Sequence, residues 1–456
     1  MANSATKTVG RDLTQGALLP ALVAFAAPMV LTNIIQQLYG LVDLIIIGRY
    51  LGSTGTVAVS TGGEIADFFT MLGGGFGAAA QIYIAQLVGA GAKKKLKEAM
   101  GTTFSVMALT SIAVAIAVFL FHKIFLQWLN CPAEAYRQSA NYMIITAIGF
   151  PFIFGYNALC GMLRGMGESA KPLMFIIIAA CTNVVLDWLL VVPLNMEAAG
   201  AAIATVISQL ASFVASFIYI RKHNEQFGFE ISRDLLKIRR EPAVIIMKLA
   251  LPQTARSFLV RSSILFVNSS INSFGLLASA TNSVGNKLQT FLEVYVGATQ
   301  QACAAMIGQN LGAKKHDRAQ KTVWYGFSIC MCFAAITAIV INIFPKAVFG
   351  IFTGDAAVLD MGVGYLGILT IHLFMSAFTS TLQSMVLGTG FASLNFVIGV
   401  LDGVVCKIGL GLIFAYVLDM GIYGFWWGTA LSRFLPGCCC LWYLLSGKWK
   451  TRKLLV

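Results

Sequence analysis

The chain has 456 residues, 58% of them hydrophobic and only 11% charged, with mean hydropathy +0.79 and a formal net charge of +13. A soluble protein of this length carries about 25% charged residues, so the composition excludes a water-soluble enzyme or binding domain and describes a chain solvated by lipid. Met1 to Gln15 are polar, and the apolar run after them is too long for the core of a cleavable signal, so none is expected. Apolar runs between polar punctuation then predict twelve spans: 17–47, 56–89, 98–121, 138–163, 172–194, 198–220, 243–272, 276–311, 320–345, 359–387, 393–418 and 421–445. The first contains Pro28, expected to bend it, because proline removes a helix hydrogen bond and crowds the preceding turn. Gly73-Gly74-Gly75 and Gly77 thin the second and predict close helix approach. The longest polar stretch is 222–242, where Arg233 to Arg240 reads as a short amphipathic cytoplasmic helix.

The positive charge is sorted by loop. One side receives Lys7, Arg11, Lys93-Lys94-Lys95, Lys97, Arg164 and Lys171. The basic residues from Arg221 to Lys248, then Lys314, Lys315, Arg318, Lys321 and the tail from Lys448 to Lys453, fall on that same side. The other side gets Arg49, Lys123, Arg137 and Lys346. This asymmetry predicts a multi-pass protein of the plasma (cytoplasmic) membrane with both termini cytoplasmic, and it removes the nucleic-acid reading of the charge. Of ten cysteines, most, including Cys160, Cys181, Cys303, Cys330, Cys332, Cys406 and Cys438-Cys439-Cys440, lie in spans; none shows metal spacing, and they read as small buried thiols.

The two halves repeat. Gln86 in Ala85-Gln86-Leu87-Val88-Gly89-Ala90 recurs as Gln309 in Gly308-Gln309-Asn310-Leu311-Gly312-Ala313, an offset of 223 (309 − 86). Gly165-Met166-Gly167 recurs as Gly388-Thr389-Gly390 at the same offset (388 − 165). Pro28 maps to Pro252 (252 − 28 = 224) and Thr205 to Thr429 (429 − 205 = 224). Four anchors at one period predict a duplicated chain. The expected fold class is an all-α polytopic membrane protein, with twelve transmembrane helices in two six-helix bundles related by a pseudo-twofold axis. The expected lobes are 1–221 and 243–456, joined by the linker 222–242.

Two acids sit inside this apolar frame. Asp187 lies in Cys181-Thr182-Asn183-Val184-Val185-Leu186-Asp187, within a hydrocarbon-length run from Pro172 to Val192, and Asp43 in Gly40-Leu41-Val42-Asp43-Leu44-Ile45. Asn183 and Asp187 are four apart and share a helical face. A carboxylate at membrane depth costs roughly 2.5–3.5 kcal/mol by insertion scales, so it persists with a partner or a cavity. Asp43 and Asp187 are therefore expected to share an ion or a proton.

These residues carry a family resemblance over nearly the whole chain. Val42-Asp43 followed by Gly48-Arg49, the motifs around Gln86 and Gln309, Arg164-Gly165-Met166-Gly167, Asn183-Val184-Val185-Leu186-Asp187 and Gly200-Ala201-Ala202-Ile203-Ala204-Thr205 resemble the multidrug and toxic compound extrusion (MATE) family. The resemblance is strongest to its prokaryotic DNA-damage-inducible branch, within the MOP flippase superfamily. It implies two helix bundles with a central cleft and export driven by inward H⁺ or Na⁺. Matched motif by motif, it also implies a coupling site of Asp43, Asn183, Asp187, Thr205 and Asn157, and a first helix that bends at Pro28. One departure stands out. Other branches carry a glutamate in the seventh helix, where this chain reads Pro252-Gln253-Thr254-Ala255-Arg256 and has no acid, which puts coupling through the second lobe by that route in doubt.

The duplication permits a comparison of charges at matching depth. The first half holds Asp43, Glu64, Asp67 and Asp187, whereas the second holds Arg256, Arg261, Lys287, Lys407 and Arg433 against Glu293 and Asp402. Asn183 maps to about Lys407, and Gln37 maps to Arg261. An acidic first lobe suits cation capture by oxygen ligands, or a proton held between close carboxylates. The basic second lobe predicts cargo that is anionic in whole or in part. Arg261, Asn268 and Asn272 share a face, and with Gln37 and Lys407 they form the candidate substrate cleft. Arg256 points elsewhere and either pairs with Glu293 or snorkels.

Other signals are set aside. Gly362-Val363-Gly364-Tyr365-Leu366-Gly367 spells a dinucleotide fingerprint inside an apolar helix, so packing accounts for it, and no phosphate-binding loop for ATP is present. His372 reads as a satisfied packing histidine, and Met162, Met166 and Met196 as gap fillers. The expected function is a secondary active antiporter exporting amphipathic small molecules or drugs in exchange for H⁺ or Na⁺ by alternating access. The alternative is a flippase or exporter of an anionic or lipid-linked amphiphile. No enzyme activity, catalytic residue or cofactor beyond the coupling ion is expected. The expected partners are a small-molecule substrate and the lipid bilayer, with no nucleic acid and the chain acting as a monomer.

Overall fold

The computed structural model describes residues 11–223 and 237–456, and among these it is helical with no strand. Of the linker helix expected from Arg233 to Arg240, residues 233–236 lie outside the described residues, and Arg240 opens α7. Helices α1 (Leu18–Tyr50), α2 (Gly52–Gly89), α3 (Lys93–Trp128), α4 (Ala133–Gly165), α5 (Ala170–Val191) and α6 (Glu197–Lys222) form the first half. The second opens with α7 (Arg240–Asn272), α8 (Leu276–Leu292), α9 (Val294–Gly312), α10 (His316–Ile343) and the short α11 (Pro345–Gly350). It continues with α12 (Ala356–Gly388), α13 (Ala392–Val400), α14 (Gly409–Leu412), α15 (Ile422–Leu431) and α16 (Phe434–Leu445). Ten continuous helices among the described residues are long and apolar enough to cross a membrane.

Two expected spans are broken. The 276–311 run divides at Glu293 into α8 and α9, and the 421–445 run divides at Ser432-Arg433 into α15 and α16. The span of α13 and α14 contains π-helical stretches, Leu401–Ile408 and Ile413–Val417. π-turns and helix breaks at membrane depth persist where side chains engage the released backbone or a buried polar group. Glu293, Arg433 and Asp402 lie at or within these irregularities.

The helices are inverted relative to those of a soluble bundle. In α5, Asn183 is 3% and Asp187 0% exposed, while Val185 and Trp188 between and beside them are 61% and 54% exposed. Polar groups inside and apolar groups outside mean that the surrounding solvent is hydrocarbon. On α6, Ser208, Ser212 and Ser216 line one buried stripe and return their hydroxyls to their own helix, at the Thr205, Gln209 and Phe213 carbonyls.

The chain packs as two units. Ala27–Thr254 makes up the body of one, and Leu13–Ala26 together with Ala255–Leu455 makes up the other. The changes of unit fall within α1 and α7, beside Pro28 and Pro252, which occupy matching places in the repeat. Pro28 lies inside a continuous α1, where its carbonyl accepts from the Thr32 hydroxyl at 2.8 Å.

In the first unit α2 and α4 pack along glycines. A methyl group on Gly161 would collide with the Gly77 carbonyl oxygen, and one on Gly77 would lie 2.9 Å from the Asn157 carbonyl. Gly73 lies against Phe154, and Gly75 against Thr254 of α7. Gly74 differs from the close approach expected of the whole run, since it has nothing within 4 Å.

The repeat extends to individual hydrogen bonds. At the end of α4, Glu168 N donates to the Leu163 carbonyl at 2.9 Å, and Gly167 takes φ +85°. At the end of α12, Phe391 N donates to Val386 O at 3.1 Å, and Gly390 takes φ +69°. Ala90 N to Gln86 O and Ala313 N to Gln309 O, both 3.0 Å, match in the same way. The left-handed position at both helix ends is what fixes glycine there.

Candidate ion site

In the first unit, α5 buries Asn183 and Asp187 one turn apart, and α1 brings Asp43 to them. The carboxyl groups of Asp43 and Asp187 lie within hydrogen-bonding reach of one another. Among the described residues, no basic side chain stands beside either. Asp43 Oδ1, both Asp187 carboxylate oxygens and Asn183 Oδ1 are buried without a hydrogen-bond donor. Two bare carboxylates at that separation repel, so the pair requires a shared proton or an interposed cation. The donor set is all oxygen, which suits a hard monovalent cation as well as it suits a proton.

Tyr142 of α4 and Tyr39 of α1 stand around the acids, with Asp67 of α2 in the same electrostatic neighbourhood. Tyr142 also reaches the Thr205 side chain, which joins Thr205 to the cluster, and the Thr205 hydroxyl donates to Ala201 O at 3.0 Å. Gly62 permits this placement, since a methyl there would lie 3.0 Å from the Tyr142 ring. Asn157 is elsewhere engaged: its amide donates to Ile153 O on its own helix at 2.9 Å, and it bonds neither acid. The structure thus gathers Asp43, Asn183, Asp187 and Thr205. It adds Tyr142 and Tyr39, which the sequence offered only as aromatics in apolar runs.

The candidate cleft residues are divided between the two units. Gln37 is half-buried in the part of α1 that belongs to the first unit, and the others lie in the second. Arg261 and Asn272 are exposed, while Asn268 Oδ1 accepts from Asn282 at 2.9 Å and Asn286 at 3.0 Å. Lys407 is buried in a separate polar cluster.

That cluster fills the second unit around the break at Glu293. Glu293 pairs with His372 Nε2 at 2.7 Å and with Arg433 at 3.8 Å. The pairing of Arg256 with Glu293 is therefore corrected: the carboxylate is already taken by groups from α12 and the α15–α16 break. His372 is satisfied as expected. It also contacts Gln289 at 2.8 Å and Thr429 O at 3.2 Å, while Tyr365 donates to Gln289 at 3.3 Å. Arg433 donates to the Ser376 hydroxyl at 2.6 Å. Asp402 accepts from Ser432 at 3.0 Å. The second-lobe acid thus comes from the middle of the eighth span, where no spacing announces it.

Two smaller expectations change. Cys181 and Cys332 are exposed on lipid-facing helix surfaces, and Cys438 and Cys439 are only partly buried. All ten cysteines are free thiols. Met162 and Met166 are buried fillers, but Met196 is exposed. The glycine fingerprint lies within α12, where Gly362 packs against the Phe349 ring, as expected of helix packing.

A duplicated helical membrane protein with an oxygen-lined site buried in one unit is built as a transporter, and comparison with known proteins agrees. The MatE family model matches residues 28–189 and again 252–417, once in each half. The chain is 26% identical over 445 residues to the probable multidrug resistance protein YpnP of Bacillus subtilis (strain 168), covering 97% of this chain and 98% of that protein. It is 23% identical over 419 residues to the multidrug export protein MepA of Staphylococcus aureus (strain NCTC 8325 / PS 47), covering 91% of each. A solved structure described as the outward-facing conformation of a multidrug resistance MATE family transporter of the MOP superfamily aligns with TM-score 0.92 at 20% identity. It covers 98% of this chain and 100% of that one. The chain belongs to the MatE family.

Proposed function

We propose that this chain is a secondary active antiporter of the plasma membrane, with both termini cytoplasmic, that exports amphipathic small molecules in exchange for H⁺ or Na⁺. The observation that carries the reading is the meeting of Asp43 and Asp187 with four buried oxygens lacking any donor. Such a pair is a poor permanent fastening, because nothing on the protein neutralises it. It is a good reversible seat, because one small cation relieves the repulsion and its departure restores it. Alternating access couples this to cargo when occupied and unoccupied forms favour different arrangements, each differing by a few kcal/mol. The names of YpnP and MepA support drug-like cargo.

A second reading, export or flipping of an anionic or lipid-linked amphiphile, draws support from the basic cluster of the second unit. Reconstituted protein loaded with an amphipathic dye tests the antiport reading. An imposed inward proton or sodium gradient should drive export, and the ionophore that collapses the effective gradient should stop it. Export that ignores both gradients would refute antiport.

A further inference from the structure

Around the helix breaks of the second unit stand the buried or half-buried cations Arg256, Lys407 and Arg433 and the carboxylates Glu293 and Asp402. Their pairing is uneven. Glu293 serves Arg433 and His372, and Asp402 bonds Ser432 with no cation within ion-pair distance. Lys407 is 3% exposed, in the electrostatic neighbourhood of Asp402. The hydrogen-bond partner of Arg256 is neutral: its Nη2 donates to Gln383 Oε1 at 3.4 Å, Nε is buried without an acceptor, and Asp402 acts on it only through the wider electrostatic field. That Gln383 oxygen is shared with Gln300, which donates to it at 2.9 Å, and the amide is held in place by Asn395 at 2.7 Å. Arg256 cannot turn the oxygen into a counterion.

The site is shaped as well as charged. The aliphatic stem of Arg256 lies across Gly399, where an added methyl would strike its Cγ and approach Cδ to 3.1 Å. Any larger residue at 399 would displace the guanidinium. Arg256 is half-buried, and Lys407 adds positive charge from within, in the electrostatic neighbourhood of Arg256 and Asp402. A half-buried guanidinium with an unpaired Nε–H and surplus positive charge around it is complementary to a planar oxyanion.

We propose that Arg256, presented by Gly399 and Gln383 and reinforced by Lys407, is a recognition site for the oxyanion group of an organic amphiphile. The ligand class is a carboxylate, sulfonate or phosphate joined to an apolar body. The inference deepens the transport reading by naming the chemistry of the cargo, and it moves that chemistry from the exposed Arg261 to the half-buried Arg256. It predicts binding with no gradient present, so its outcome is separate from that of ion coupling.

The test is equilibrium binding of two xanthene dyes, dianionic fluorescein and cationic rhodamine 6G, to purified protein in phosphatidylcholine nanodiscs at neutral pH. Fluorescein should bind more tightly than rhodamine 6G. Arg256→Gln should weaken fluorescein about tenfold or more, the scale of losing a charge-assisted hydrogen bond, with rhodamine 6G unchanged. Arg256→Lys should retain part of the affinity, and Gly399→Ala should lose it while leaving every charge in place. Phosphatidylglycerol nanodiscs identify the source of the oxyanion. Fluorescein affinity lowered there in wild type alone assigns the site to a lipid headgroup, and unchanged affinity assigns it to a soluble solute. Fluorescein affinity within twofold of wild type in both Arg256→Gln and Gly399→Ala, or tighter binding of rhodamine 6G, would overturn the proposal. Should Arg256→Gln fail to fold, Gly399→Ala and Lys407→Gln give the same reading.

Discussion

Asp43 of α1 and Asp187 of α5 meet inside one unit with their carboxyl groups in hydrogen-bonding reach and, among the described residues, no basic side chain beside them. The same element places Asn183 one turn away, its carbonyl oxygen equally without a donor. The second unit treats Glu293 differently, setting it against His372 and Arg433. One lobe is left needing a small cation, and the other has built-in cations to spare.

Tyr142 ties Thr205 to the acid pair. Replacing Tyr142 by Phe removes one hydroxyl from the site at nearly constant volume. A net hydrogen bond contributes about 0.5–1.5 kcal/mol, so the ion concentration for half-maximal export should rise by about threefold to tenfold. Dye export at graded pH or sodium concentration measures it. An unchanged half-maximal concentration would remove Tyr142 from the site.

The Glu293 cluster should behave as structure. Glu293→Ala leaves Arg433 and His372 without their shared anion, and breaking a buried pair in this way costs about 3–5 kcal/mol. Thermal unfolding in detergent should show a large fall in Tm. The pair Glu293→Gln and His372→Gln should be non-additive by about 0.5–3 kcal/mol in a double-mutant cycle, as residues in contact are. Additive effects would mean that the 2.7 Å contact carries no energy.

The glycines of α2 and α4 provide an internal control. Gly161→Ala places a methyl group on the Gly77 carbonyl, and the backbone there cannot yield without parting the helices. It should destabilise by about 1–3 kcal/mol, whereas Gly74→Ala meets open space and should be neutral or stabilising through higher helix propensity. Comparing the two melting temperatures decides the matter. A similar loss at both would contradict the packing described.

Much of this was legible in the chain. Spans follow from apolar runs of hydrocarbon length, and the acid pair follows because a carboxylate at that depth must have a reason. The duplication showed in Gln86 and Gln309, and it reappears as matching helix-end hydrogen bonds. The break at Glu293 was not legible. Its neighbours are ordinary helix formers, and its partners, His372 and Arg433, lie far along the chain. Tyr142 was hidden for a related reason, since a tyrosine in an apolar run looks like packing until a tertiary neighbour is known. Asn157 entered through family motif alone, and its amide is spent on its own helix.

The most direct test of the central claim is uphill export in proteoliposomes by wild type, Asp43→Asn and Asp187→Asn, with insertion checked for each. An amide in either place abolishes the paired charge that needs a cation while keeping size and shape. Both variants should insert normally, exchange dye down its own gradient, and lose gradient-driven accumulation. If either variant still drives dye uphill at the wild-type rate, the two aspartates are not the seat of coupling.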